Sequence, residues 1–261
     1  MRPALSDLMF IIKNKRCFTA AMFLLLMAAN YSKAQSIRTN TNNFNTWVVY
    51  NGQHLITDKL GIHAEIQVRR NDGISNWQQL LLRPGVFYKI NKNVLATAGY
   101  AFVETYPYGD IPSAKMAFPE HRIWEQLQLT QQTGSVDVIN RLRLEQRFLG
   151  DATAGAFTNV RYENRARYML KANIPLGKAT PFYLPLYDEV FIAFGKNVKY
   201  NTFDQNRLGL GLGYNAGKTT KIEFGYMYQY VQQRNLTATL NQVVENNHTL
   251  AINVFSSLPF K

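Results

Sequence analysis

The run VDVINRLRLEQRFL, residues 136–149, decides the fold. It alternates with a period of two, placing Val138, Leu142, Leu144 and Phe148 on one side and Asp137, Arg141, Arg143, Glu145 and Arg147 on the other. That is the side-chain period of an extended strand and not of a helix. The next run, residues 158–171, does the same, with Val160, Tyr162, Ala166, Tyr168 and Leu170 opposite Arg161, Glu163, Arg165, Arg167 and Lys171. Neighbouring strands stand about 4.8 Å apart, so the charged sides of two such strands must meet.

The alternation continues outward from these two runs. Candidate strands cover 46–56, 60–70, 74–89, 93–106, 119–132, 136–149, 158–173, 180–195, 202–215, 219–234 and 245–260, and no convincing amphipathic helix interrupts them. Soluble strands average about 5–6 residues, whereas strands tilted across a bilayer need about 9–11. Tight turns such as Gly134-Ser135 alternate with longer connections expected at 107–118, 150–157 and 235–244, the layout of outer-membrane barrels. The apolar face is rich in tyrosine, as in Ile222, Phe224, Tyr226, Tyr228 and Tyr230 opposite Lys221, Glu223 and Gln229. Such hydroxyls suit an aromatic girdle better than a dry core. The expected fold is all-β, a transmembrane antiparallel up-and-down barrel. Eleven strands are readable, but a bacterial single-chain barrel is expected to have an even number. Twelve is therefore the expectation, with ten as the alternative, because 35–45 is very polar and 180–195 contains Pro181 and Pro185.

The N-terminal segment has the layout of a secretory signal peptide: Arg2, Lys13, Lys15 and Arg16, an apolar run Cys17–Ala29, then Ser32-Lys33-Ala34. Residues 1–34 are expected to be cleaved off, leaving one domain, 35–261, with no cysteine, because Cys17 is the only one. Thiol chemistry and disulfides are thereby excluded from the mature chain. The formal charge of +12 falls to +8 with that segment removed. The expected location is the outer membrane of a Gram-negative bacterium, in contact with its lipid. The last strand alternates His248, Leu250, Ile252, Val254, Leu258 and Phe260, and Phe260, followed only by Lys261, is the expected signal to barrel-assembly machinery.

Several short motifs resemble one family: Thr46-Trp47, RLRLEQRF at 141–148, RYENRARYML at 161–170, Tyr187-Asp188-Glu189-Val190-Phe191 and Asn206-Arg207. Together they are similar to the outer-membrane proteins grouped as the domain of unknown function 2490 family. The resemblance covers about 46–260 and implies a barrel and its location, with no established activity.

The candidate site is a lumen charge network of Arg141, Arg143, Glu145 and Arg147 with Arg161, Glu163, Arg165 and Arg167, joined by Glu189, Arg207, Lys221 and Glu223. Two readings use the same residues. They fill a narrow lumen with ion pairs, or their surplus positive charge lines a porin-like path for small anionic solutes. A lipase or lipid-modifying enzyme is an alternative; its best constellation is Ser113, Glu120 and His121, with His54, His63 and His248 elsewhere. A soluble lipocalin-like binding barrel is another. No zinc spacing or phosphate-cradling loop is present, and Gly209, Gly211 and Gly213 alternate within a strand, where they are expected to make room for interior arginines. No cofactor and no nucleic-acid partner is expected.

Overall fold

Eleven strands of 12 to 20 residues close on themselves, in the order β1 (Arg38–Leu55), β2 (Leu60–Asn71), β3 (Asn76–Lys89), β4 (Val94–Thr105), β5 (Phe118–Thr133), β6 (Val136–Asp151), β7 (Ala156–Pro175), β8 (Phe182–Phe194), β9 (Phe203–Asn215), β10 (Thr220–Leu236) and β11 (Gln242–Ser256). The computed structural model describes residues 38–259. Each strand pairs antiparallel with the next, and the barrel closes where β1 meets β11, in parallel, from Arg38 opposite Gln242 to Gly52 opposite Ser256. The expectation of twelve strands is thus corrected to eleven among the described residues: an odd number makes the first and last strands run the same way, and a parallel seam closes the sheet. The alternative of ten fails as well. The very polar stretch 39–45 is part of β1, and its inward asparagines bond to the two flanking strands, Asn43 Nδ2 donating to Asn247 Oδ1 and Asn45 Oδ1 accepting from Asn71 Nδ2. The signal peptide and the Phe260 terminus lie outside the described residues.

One rim carries the connections 56–59, 90–93, 134–135, 176–181 and 216–219, and the other carries 72–75, 106–117, 152–155, 195–202 and 237–241. The 106–117 connection is long, whereas the one expected at 150–157 shortens to 152–155 because β6 and β7 both run further than the sequence suggested. Gly134 takes φ +60 in the two-residue turn between β5 and β6, a conformation that glycine reaches without steric cost. Pro185 sits within β8, its side chain pointing inward. The glycines of β9 serve tyrosines and not arginines: a Cβ at Gly209 or Gly213 would overlap the ring of Tyr187 or Tyr183, which lie across them from β8.

The faces of the sheet are the reverse of a soluble protein's. On β6, Leu142 is 48% exposed while Arg143 between its neighbours is 2% exposed. Ile123, Leu210 and Phe224 stand on the outer wall, whereas Glu120, Glu145 and Glu163 are buried inside. Outer-wall tyrosines bond across strands, Tyr226 Oη with His248 Nδ1 at 2.6 Å, Tyr228 Oη to Asn246 Oδ1 at 2.7 Å and Tyr168 Oη to Asn140 Oδ1 at 2.6 Å. No helix among the described residues is long and apolar enough to cross a membrane.

Candidate functional site

The interior is built by strand alternation alone, since every second side chain must point inward. Near mid-height these side chains fill the barrel. Glu145 on β6 is the hub: its carboxylate accepts from Arg165 Nε at 2.9 Å and Nη2 at 2.5 Å, Arg167 Nη1 at 2.8 Å and Arg83 Nη2 at 3.3 Å. Arg83 from β3 also donates twice to Glu65 on β2, at 2.7 and 2.9 Å. Arg167 donates through Nε and Nη2 to Glu189 on β8, which takes Arg141 Nη2 at 2.7 Å as well. Arg165 Nη1 continues to Asp204 at 2.8 Å. Flat aromatic rings lie among the guanidinium groups, with Arg143 over Trp124 at 4.8 Å and Arg167 and Arg207 over Phe191 at 4.4 and 4.6 Å. Buried ions are tolerated only when paired in this way, because desolvation alone costs several kcal/mol per charge.

This belt separates two chambers. The one toward the rim of the shorter connections has a volume of about 360 Å³, and Lys171, Lys221, Arg141, Gln128, Asn173 and Phe255 are among the residues on its wall. The other, toward the longer connections and called the upper chamber to distinguish it from the lower one just described, is about 240 Å³ and includes Arg69, Arg122, Arg161, Arg234, Gln78 and Glu163 on its wall. Trp47, Arg167 and Arg207 face both. Both chambers are cationic: seven basic and three acidic side chains line the first, and nine and four the second.

Sites named from the sequence divide between belt and chambers. Arg143, Glu145, Arg165, Arg167, Glu189 and Arg207 lie in or beside the belt. Arg147 and Arg122 share Glu120 higher up, Arg147 Nε at 2.6 Å, and Arg161 pairs with Glu163 at 2.7 Å. Glu223 pairs with Lys171, Nζ to Oε1 at 2.6 Å, and accepts from Tyr183 Oη at 3.0 Å, while Lys221 lies over the Tyr183 ring. Sequence reasoning missed Glu65, Arg69, Arg83, Arg122, Asp204 and Glu245, and named Glu120 only beside Ser113 and His121. Their signal was the phase of alternation: Glu65, Gln67 and Arg69 share one face of β2, and Glu120 and Arg122 one face of β5.

The 106–117 connection folds over the upper chamber. Tyr108 Oη donates to Glu245 Oε2 at 2.7 Å, Gln233 Nε2 donates to the Ile111 carbonyl at 2.8 Å, and Ala114 packs with Phe118 and Leu149. Burial, and then the facing Glu245 carboxylate, push the Tyr108 hydroxyl well above its usual range. Ser113, Glu120 and His121 do not converge. Glu120 points inward to Arg122 and Arg147, whereas His121 points outward against Phe157, with ring centroids 4.3 Å apart. No group of three or more His, Cys, Asp or Glu side chains among the described residues could hold a metal.

Residues 44–239, most of the barrel, match the family described as protein of unknown function (DUF2490). An uncharacterised protein of Methylorubrum extorquens is 28% identical over 196 residues, which is 74% of this chain and 78% of that protein. Among solved structures, the anion-selective porin from Comamonas acidovorans aligns with a TM-score of 0.38 and 14% identity over 77% of this chain and 54% of the porin, so the chain spans about half the porin's length.

Proposed function

We propose a function from geometry, starting from the fact that the chain belongs to the DUF2490 family of proteins of unknown function: it is an outer-membrane barrel, closed at rest, whose two cationic chambers are blind vestibules that receive anionic solutes. The observation that carries the reading is the belt centred on Glu145, which ties β2, β3, β6, β7 and β8 together across the lumen and leaves a chamber on either side. An apolar outer wall with a charged interior supports the membrane setting, because a soluble lipocalin-like barrel requires the opposite arrangement. The rim with the 106–117 connection is the extracellular one. The wall contacts outer-membrane lipid, and β11 is the strand offered to assembly machinery.

The test has two arms. Mature protein should fractionate with outer membranes and migrate differently on a gel when heated; recovery from the periplasm as a soluble protein refutes the membrane setting. Purified protein in planar bilayers should give no steady conductance, and reproducible anion-selective steps from the unmodified barrel refute closure.

A further inference from the structure

The upper chamber contains two buried arginines that donate hydrogen bonds to no carboxylate. Arg69 and Arg207 are each 9% exposed, and the closest carboxylate oxygen to Arg207 is on Glu189, 4.0 Å from Nη1. Arg69 has no carboxylate oxygen within 4.0 Å among the described residues. Other arginines on this chamber's wall do have one, as in Arg122 and Arg147 with Glu120, Arg161 and Arg234 with Glu163, and Arg165 with Asp204. Neutral amides hold the two in place. Arg69 donates from Nε to Gln67 Oε1 at 2.9 Å and from Nη1 to Gln79 Oε1 at 2.5 Å, and Arg207 donates from Nε to Gln205 Oε1 at 3.1 Å. Turning the Gln229 amide brings its oxygen within 3.2 Å of Arg207 Nε and Nη2, which still leaves Nη1 without a hydrogen bond. Amides orient a guanidinium and satisfy part of its donor set, but they supply no countercharge.

Both groups lie against one indole, the guanidinium carbons 3.8 Å and 5.0 Å from the Trp47 ring centroid. Trp47 is itself fixed by donating Nε1 to Gln78 Oε1 at 2.7 Å. The acid on this side of the chamber, Glu245, is occupied by Tyr108, Gln233 and Asn247, all neutral donors. Two like charges against one ring, buried and compensated only by Glu189 at 4.0 Å from Arg207, destabilise an empty chamber, and an entering anion relieves them. Arginine forks favour an oxyanion, which accepts several N–H groups at once, over a spherical halide.

We infer that the upper chamber is a binding site for a small oxyanion of the phosphate or sulfate type, held by Arg69 and Arg207 beside Trp47. The inference rests on the reading of the chambers as anion-receiving vestibules and names where and by what chemistry one of them acts. The aromatic wall and the amide-positioned forks form the site, and the 106–117 connection, pinned by Tyr108, covers it.

The experiment titrates the purified barrel in detergent with sodium phosphate, sodium sulfate and glycerol phosphate at constant ionic strength, with sodium chloride as reference, and reads heat of binding and thermal unfolding. Phosphate or sulfate should bind with one site per chain and raise the unfolding temperature beyond the chloride reference. If only glycerol phosphate does so, the site stands and its source is an ester headgroup. R69Q and R207Q should each weaken binding at least tenfold, R69K/R207K should retain part of it, and K92Q, in the 90–93 connection at the opposite rim and outside both chambers, should leave it unchanged. An unmodified barrel indifferent to all three oxyanions, or a folded R69Q/R207Q double variant that binds them as before, overturns the inference. Conductance on the same preparations separates the two claims: a conducting barrel that binds phosphate refutes closure alone, and a closed barrel that ignores phosphate refutes this site alone.

Discussion

Replacing Glu145 by glutamine removes one charge and almost no volume from the centre of the belt, where the side chain is fully buried. Three guanidinium groups donate to that carboxylate within 3.3 Å, and Arg122 lies 3.9 Å away. Breaking a buried pair by removing one partner costs about 3–5 kcal/mol. Each of these arginines keeps a second carboxylate, Arg83 on Glu65, Arg165 on Asp204, Arg167 on Glu189 and Arg122 on Glu120. The loss should therefore fall at the low end, about 3 kcal/mol, or roughly a hundredfold in the folding equilibrium. Urea unfolding of the barrel in lipid vesicles, followed by tryptophan fluorescence, measures it; Trp124 beside Arg143 reports on the belt directly. The same variant should also conduct anions, because Arg165 and Arg167 lose a shared tether between the chambers. Stability within about 0.5 kcal/mol of the parent protein, the range of ordinary surface substitutions, would refute the argument and mean that water already solvates the belt.

The outer wall makes a second prediction: Leu144→Arg, on a position 41% exposed, should cost roughly 2–4 kcal/mol, while Gln53→Arg on the lower chamber wall should cost little; equal tolerance in vesicle folding assays would mean the faces are assigned wrongly. Glu125 stands outward between Ile123 and Leu127 with Gln146 as its hydrogen-bond partner at 3.2 Å, so Glu125→Leu should stabilise the barrel by about 1 kcal/mol, and a loss on refolding would reveal a partner for the carboxylate. Tyr108 has a raised pKa, so its contribution is complete below the unfolded value near 10 and is lost as pH climbs toward the folded value; proteolysis of the 106–117 connection should rise above about pH 10 in the parent, whereas Tyr108→Phe should be cleaved faster at neutral pH with a flatter profile. At the seam, where parallel ladders are slightly weaker, β1 and β11 amides should exchange hydrogen faster than those of β6 and β7, and Asn247→Ala, which removes the 2.8 Å bond from Asn43, should widen that difference; uniform protection would contradict it.

Most of the barrel was legible because a strand with one apolar and one charged face declares itself over a dozen residues, as 136–149 and 158–171 do. Closure was not legible. The seam strand opens with Arg38-Thr39-Asn40-Thr41-Asn42-Asn43, in which both faces are polar, so period two carries no hydropathy contrast. Its inward asparagines instead bond to neighbours, Asn43 to Asn247 at 2.8 Å and Asn71 to Asn45 at 2.9 Å. The inward face of β7 was readable, but its partners were not: Glu145 bonds Arg165 on the adjacent strand, yet Arg83 reaches it from β3 across the lumen. Contacts of that kind depend on barrel width and on rotamers, neither of which alternation encodes. The β9 glycines were legible as small positions, while the tyrosines that need them are set by the register of β8.

Inward aromatic residues explain how so many arginines share an interior with fewer acids. Three buried arginines donate hydrogen bonds to no carboxylate, and each lies on a ring: Arg69 on Trp47, Arg143 on Trp124 with Glu65 3.8 Å away, and Arg207 on Trp47 and Phe191 with Glu189 4.0 Å away. A desolvated cation over an aromatic face gains about 2 kcal/mol, which offsets part of the desolvation cost without neutralising the charge. A carboxylate partner would have neutralised it and, with it, any attraction for an incoming anion. Phe191 also lies under Arg165 and Arg167, which do have carboxylates, and these two belong to the belt that closes the lumen. Hydrogen-bonded pairs with acids thus build the closure, while rings and amides leave positive charge available, fully at Arg69 in the upper chamber and in part at Arg143 in the lower and Arg207 on the wall of both, whose nearest acids stand 3.8 and 4.0 Å away.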